Sequence, residues 1–240
     1  MSHPVLERGE LEVLGRMPWA SNQTYLGRLC LDGPGAAGAS GEREALVVYK
    51  PRRGERPLWD FPRGTLCQRE VASHLVSEEL GWAIVPPTLL RSGPLGEGMV
   101  QLFVDHDPEN HYFTMRETVP DRFRQFALFD VVINNADRKS GHCLLDAGNH
   151  VWGIDHGVTF HTSVKLRTVI WDFEAEPIEE DLVSDLARLD ESFDGELGRR
   201  LARLLAPSEV QAARRRLQWL LSRRVFPSPT TDYPYPWPMV

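Results

Sequence analysis

Apolar and polar positions along this chain change period several times, and each change marks an element. Residues 5–32 read as a short strand or helix, a turn at 15–24 and a strand at 25–31 with alternating apolar positions. The glycine- and alanine-rich run 32–41 predicts a loose hairpin tip whose length matters little. The β-branched stretch Ala45-Leu-Val-Val-Tyr-Lys50 re-enters the sheet and ends on a lysine. Residues 51–64, rich in Pro, Arg and Trp, read as an ordered insertion.

A helix is expected over about 65–80, with Leu66, Val71, Leu75 and Val76 at helical spacing and Gly81 as its stop. Strands at 86–90 and 98–104 flank a glycine-rich turn. After the polar residues 105–110, Phe123, Phe126, Ala127, Phe129 and Val132 predict a buried helix over 121–132. Residues 177–225 carry two helical segments, the second opening on Ser208 as a cap. The tail at 227–238, with five prolines and three aromatics, is extended against the body or mobile. There is no internal repeat. A small sheet with one helix followed by a mostly helical half predicts an α+β fold of two lobes, residues 1–104 and 105–240, meeting near 104–108 in one domain.

Composition narrows the class. With 42% hydrophobic and 25% charged residues, global disorder is not expected. A net charge of -7 argues against a general nucleic-acid binder. Three widely spaced cysteines form neither a metal pair nor a disulfide framework, which suits a reducing cytoplasm. The absence of a long apolar run or a signal-like N-terminus adds the expectation of a cytoplasmic protein without stable membrane insertion.

The densest polar chemistry is Asp130-Val-Val-Ile-Asn-Asn-Ala-Asp-Arg-Lys-Ser-Gly-His-Cys-Leu-Leu145, followed by Trp152-Gly-Ile-Asp-His-Gly157. Asp137 falls in a polar loop after an apolar helix, and Asp155 ends a short strand eighteen positions later. Phosphoryl-transfer enzymes use two acids in this way, one on the acceptor hydroxyl and one on the magnesium that bridges the phosphates. Arg138 is expected to keep Asp137 ionised and to contact phosphate, so Asp137 and Arg138 are the catalytic candidates.

Lys50 suits the nucleotide phosphates and Glu70 the role of its partner, with Arg52 and Arg53, and Glu78 and Glu79, as competitors for the two roles. Ser21 and Asn22 sit in the turn where kinases place a phosphate-covering loop, and ATP is expected against residues 101–104, including Gln101 and Phe103. Asp155 is the candidate ligand for magnesium or manganese. His142 either takes a second metal position, where imidazole would favour manganese and give activity an acid limb near about 6.5, or hydrogen-bonds a phosphate or packs in the loop. A metallohydrolase built from His142, His150, His156 and His161 is the competing reading, but no fixed-spacing metal motif accompanies them.

Asn135-Ala-Asp-Arg138 followed by Gly153-Ile-Asp-His-Gly157 resembles the catalytic and metal motifs of the phosphatidylinositol 3-/4-kinase-related superfamily, including HipA-type kinases and type II phosphatidylinositol 4-kinases. With Val48-Tyr-Lys-Pro-Arg-Arg-Gly-Glu-Arg-Pro-Leu-Trp-Asp-Phe-Pro62 and Leu166-Arg-Thr-Val-Ile-Trp171, the chain is similar to an actinobacterial phosphatidylinositol 3-/4-kinase-like family. The resemblance implies a two-lobed kinase fold, ATP and a divalent metal. By position it carries the nucleotide role to Lys50, its partner's to Glu70, the catalytic role to Asp137 and the metal role to Asp155; it departs at His142, where the relatives have Asn. The expected activity is transfer of the ATP γ-phosphoryl to a hydroxyl on a protein, lipid head group or small polyol, with Lys165 and Arg167 either facing an anionic substrate or forming a solvated basic strand. The alternative is a catalytically weak nucleotide-binding regulator.

Overall fold

A computed structural model describes residues 3–18, 22–31, 44–230 and 232–240. The expected hairpin tip at 32–41 and the candidate Ser21 lie outside the described residues. The chain opens with α1 (Pro4–Arg8), β1 (Glu10–Arg16), β2 (Tyr25–Cys30) and β3 (Glu44–Pro51). A 3-10 turn at Arg52–Gly54 then leads through the insertion to α2 (Leu66–Leu80), β4 (Thr88–Gly93) and β5 (Gly96–Leu102). The strands form one antiparallel sheet in the order β1-β2-β3-β5-β4.

Period-two alternation in β3 decides what each face of the sheet does. Val47 and Tyr49 are buried with Val5 and Leu6 of α1 and with Leu29 and Val100. Val48 and Lys50 therefore point to the other face, where Lys50 pairs with Met99 and Val48 with Gln101 across β5. Helix α2 covers that face, with Cys67 and Val71 packed on Met99. β4 begins later than expected because Pro86 and Pro87 have no N–H for a ladder.

Helix α2 is buried on most of its circumference although Arg69, Glu70, Ser73 and Ser77 lie on it. Each of these has partners, as burial demands. Arg69 donates to Glu209 at 2.5 Å and to the Thr159 carbonyl at 2.6 Å. Ser77 accepts the backbone N–H groups of Ile84 and Val85. The inner side of α2, with Leu75, Val76 and Leu80, belongs to the main apolar core shared with the helices that follow.

Those helices are α3 (Tyr112–Met115), α4 (Pro120–Ile133), α5 (Glu180–Ser192), α6 (Glu196–Leu201) and α7 (Pro207–Arg223), with the hairpin β6 (Cys143–Leu145) and β7 (Val151–Gly153) after α4. Phe123, Phe126 and Phe129 of α4 fill the core against Leu186 of α5 and Leu217 of α7. Three helices, rather than the expected two, occupy 177–225, because the chain turns at residues 193–195 and again before Pro207. Ser208 lies inside the first turn of α7 and is not its cap. The cap residue is Ala206, whose N–H is accepted by Glu209 at 2.9 Å.

Of the two expectations for the tail, docking is the one observed. The Pro234 carbonyl accepts from Thr168 N–H and the Met239 carbonyl from Ser140 N–H. The α+β character is as expected, and among the described residues no helix is long and apolar enough to cross a membrane.

Gly81 ends α2 at φ +74°, and a Cβ there would meet nothing within 4 Å. Gly81→Ala should therefore lose about 1–2 kcal/mol from the left-handed backbone alone. Urea unfolding measures this; an unchanged midpoint would mean that the turn relaxes.

Candidate active site

Lys50 leaves β3 on the face of the sheet that α2 covers and reaches two carboxylates, Glu70 Oε1 at 2.6 Å and Asp155 Oδ1 at 2.8 Å. The other oxygen of Glu70 accepts the His156 N–H at 2.8 Å, so α2 grips both the lysine and the segment after Asp155. Burial alone would lower the Lys50 pKa, but the Asp155 and Glu70 charges outweigh it and hold the ammonium well above the ordinary lysine range. Lys50 in turn depresses the Asp155 carboxyl strongly, while burial raises that of Glu70. Asp155 adopts φ +62°, a left-handed conformation that a short polar side chain tolerates. Its side chain keeps 44% exposure, against 2% for Glu70.

The second acid comes from the end of α4. Asn134 ends the helix in the left-handed region at φ +54°, and Asn135 then turns the loop by accepting the Asp137 N–H at 3.0 Å. Burial pushes the Asp137 carboxyl up to about 6, opposed by Lys139 at 3.4 Å and reinforced by the Asp155 charge. Desolvation is the largest influence on this carboxyl, and the Arg138 charge, expected to keep it ionised, is a lesser one.

Arg138 is placed differently from the phosphate-contacting role expected of it. Its side chain is fully buried and forms an ion pair with the equally buried Asp130 at 3.0 Å. The guanidinium also donates to His156 Nε2 at 2.6 Å and to the carbonyls of His142 and Ile154. It ties the end of α4, the loop and the end of β7 together from beneath. Asp130 and His156 are the positioning residues that sequence reasoning missed. A lone carboxylate in the apolar run Leu128-Phe129-Asp130-Val131 was the available signal, since a buried charge demands a partner.

His142 Nε2 lies 3.6 Å from Asp155 Oδ2. Its Nδ1 accepts the Lys139 N–H at 3.4 Å, so the neutral ring carries its proton on Nε2 and presents a donor where a metal would need a lone pair. Burial pushes this imidazole down to about 4. The metal-ligand role and the acid limb near about 6.5 expected for His142 therefore do not fit this geometry. Among the described residues no group of three or more His, Cys, Asp or Glu side chains is arranged to hold a metal.

Val48, Lys50, Asn22, Gln101, Phe103, His142 and Asp155 line one cavity of about 320 Å³, completed by the apolar side chains of Met17, Leu102, Val104, Leu144 and Ile154. The Gln101 amide is turned into the sheet, donating to Thr88 at 2.8 Å, and Asn22 accepts the Arg56 N–H at 2.7 Å. Lys165 is paired with Asp60 at 2.8 Å and lies over the Trp59 ring. Arg167, the other member of the pair expected to face an anionic substrate, is exposed.

The chain belongs to the same family as Protein Rv2133c of Mycobacterium tuberculosis, with which it is 40% identical over 98% of this chain and 94% of that protein. No family model matches the chain. Among solved structures it is similar to the Helicobacter pylori proinflammatory kinase CtkA, with a TM-score of 0.53 and 12% identity over 91% of this chain and 94% of that one. The fold is thus kinase-like. The narrower resemblance to phosphatidylinositol 3-/4-kinases and HipA-type kinases gains no support at the family level.

Removing one member of the buried pair leaves the other charge stranded. Arg138→Met should therefore destabilise the protein by about 3–5 kcal/mol, and adding Asp130→Leu should recover much of that loss. Urea unfolding of both variants reads this directly; a single substitution below about 1 kcal/mol would show that the pair is not the structural tie described.

Proposed function

We propose that the protein is an ATP-dependent phosphotransferase acting on a hydroxyl, with residues 1–104 and 105–240 as the two lobes of a kinase-like domain. The observation that carries this reading is the meeting of Lys50, Glu70 and Asp155 at one end of an apolar-walled cavity. Asp137 lies close enough to Asp155 to feel its charge. The likeness of fold to a kinase supports it.

The adenine would lie between Val48 and the pair Leu144 and Ile154, beside Phe103, with the phosphates towards Lys50 and Asp155. Lys50 shares its single positive charge between two carboxylates, so the cluster carries an excess negative charge that suits a cation. Magnesium binds through one or two carboxylates and completes its shell with phosphates and water, a donor set that Asp155 fits. Such an ion would neutralise phosphate charge. Asp137, with its pKa near about 6, suits a general base near neutral pH. It would take the proton of the acceptor hydroxyl as that oxygen attacks the γ-phosphorus, while the bond to the bridging oxygen breaks and ADP leaves. His142 would donate its Nε2–H to Asp155 or to a phosphate oxygen.

Asp155→Ala should remove metal-dependent ATP affinity, whereas Asp137→Ala should leave binding largely intact and abolish turnover. Titration calorimetry with ATP, with and without magnesium, tests this beside an ADP-release assay. No heat with millimolar ATP in either condition would end the phosphotransferase reading. ATP binding without turnover would instead favour the regulator.

The pH profile separates the groups further. Turnover should rise as pH increases through about 6, because Asp137 must be ionised to accept a proton. His142, pushed down to about 4, stays neutral through that range, so His142→Asn should leave the limb in place. A limb that vanishes in His142→Asn would assign the titration to the imidazole.

A further inference from the structure

A second cavity, of about 410 Å³, shares no lining residue with the cleft around Lys50. Helix α7 presents Ala212, Arg215, Arg216 and Trp219 to it, positions spaced three, one and three apart along a single helical face. Val164 and Trp171 are among the apolar walls opposite. Its size falls in the range that holds small organic ligands.

The polar content of this cavity is unbalanced. Arg216 caps the end of α4, donating from Nε to the Val131 and Val132 carbonyls at 3.1 and 3.0 Å and from Nη1 to the His161 carbonyl at 3.3 Å. Those carbonyls account for two of its three nitrogens. The third, Nη2, is buried and has no partner among the described residues. Among them, neither Arg216 nor the adjacent Arg215 has a carboxylate within ion-pair distance, whereas Arg214 beside them pairs with Asp190 and Asp194. A desolvated, uncompensated guanidinium beside a second one is a costly arrangement that an anion would relieve. Burial and the Arg215 charge already lower the Arg216 pKa to about 10, the same imbalance seen from the proton's side.

We propose that this cavity binds an anionic amphiphile, a single carboxylate or phosphate head on an unbranched apolar chain. The head would pair with Arg215 and the neighbouring Arg216 charge, and the chain would lie against Val164, Trp171 and Trp219. Asn134 also lines the cavity, and its side chain holds the His161 and Ser163 carbonyls and the Lys165 N–H. Occupancy would therefore bear on the segment between Asp155 and Thr168 without touching the nucleotide cleft. The inference stands apart from the phosphotransferase reading, because it uses none of that reading's residues.

The test titrates the intact protein with dodecanoate, dodecyl phosphate and dodecanol below their micellar concentrations. At least one anion should bind about tenfold or more tightly than the alcohol, the value of a charge-assisted hydrogen bond. The better of the two anions identifies the head group. Arg215→Gln, a change at an exposed side chain, should weaken the anion several-fold and leave dodecanol unchanged. Ala212→Leu, which takes up cavity volume, should weaken all three, with a thermal melt confirming that it folds. Equal affinity for alcohol and anions, no binding by any probe, or an Arg215→Gln variant that binds the anion as tightly as the parent would overturn the proposal.

Discussion

The arrangement of both acids depends on one buried ion pair, Arg138 with Asp130. A guanidinium with no exposure must find a partner for its charge and for its N–H groups, and those partners are drawn from four places in the chain. Asp130 comes from the last turns of α4, His142 from the polar loop, Ile154 from the end of β7 and His156 from just beyond it. Asp137 lies directly beside this node and Asp155 between two of its partners. Their relative position is therefore set from below by a rigid polar network, while their own side chains stay available to solvent and ligand. Gly153 belongs to the same packing, since a Cβ there would meet Phe126 at 2.9 Å and Ile84 at 3.0 Å.

Helix α2 supplies the second constraint. It packs on the sheet through Cys67 and Val71 and on the helical core through Leu75 and Val76, so it couples the strand that carries Lys50 to the segment that carries Asp155. Glu70 is the point of coupling. One carboxylate oxygen holds Lys50 and the other holds the His156 backbone, which makes the lysine's position sensitive to the segment after β7. Arg69, one residue earlier, reaches Glu209 at the start of α7. Burying polar groups on nearly every side of a helix is destabilising unless all are paired, and here their pairing determines which elements α2 can join.

Much of this was legible in the sequence because it followed from local periodicity. Alternation in β3 aimed Lys50 away from Tyr49, helical spacing placed Glu70 on a helix, and the change from apolar helix to polar loop marked Asp137. The missed features needed knowledge of what lies behind a residue. Arg138 was expected to face phosphate because its neighbours in sequence are polar, but a loop that turns at Asn134 points adjacent side chains in opposite directions. The Asp137 pKa was misjudged for the same reason: the nearness of a cation is visible in sequence, whereas desolvation is not. His142 was read by ligand type alone. Its tautomer depends on a backbone N–H three residues earlier, and that bond forms only within the 3-10 turn at Ser140–His142. The helix break before Pro207 was anticipated by opening the second segment at Ser208; the turn at 193–195 was missed, although Gly195 was there to mark it.

The account's central claim is that Lys50, Glu70 and Asp155 form the phosphate end of a nucleotide cleft whose apolar end lies between Val48 and Leu144. A crystal structure with a non-hydrolysable ATP analogue and magnesium tests it most directly. The account predicts the base beside Phe103, the Lys50 ammonium within hydrogen-bond distance of a phosphate oxygen and the cation on Asp155. A nucleotide bound elsewhere, or one bound in this cleft with its phosphates turned away from Lys50 and Asp155, would contradict it.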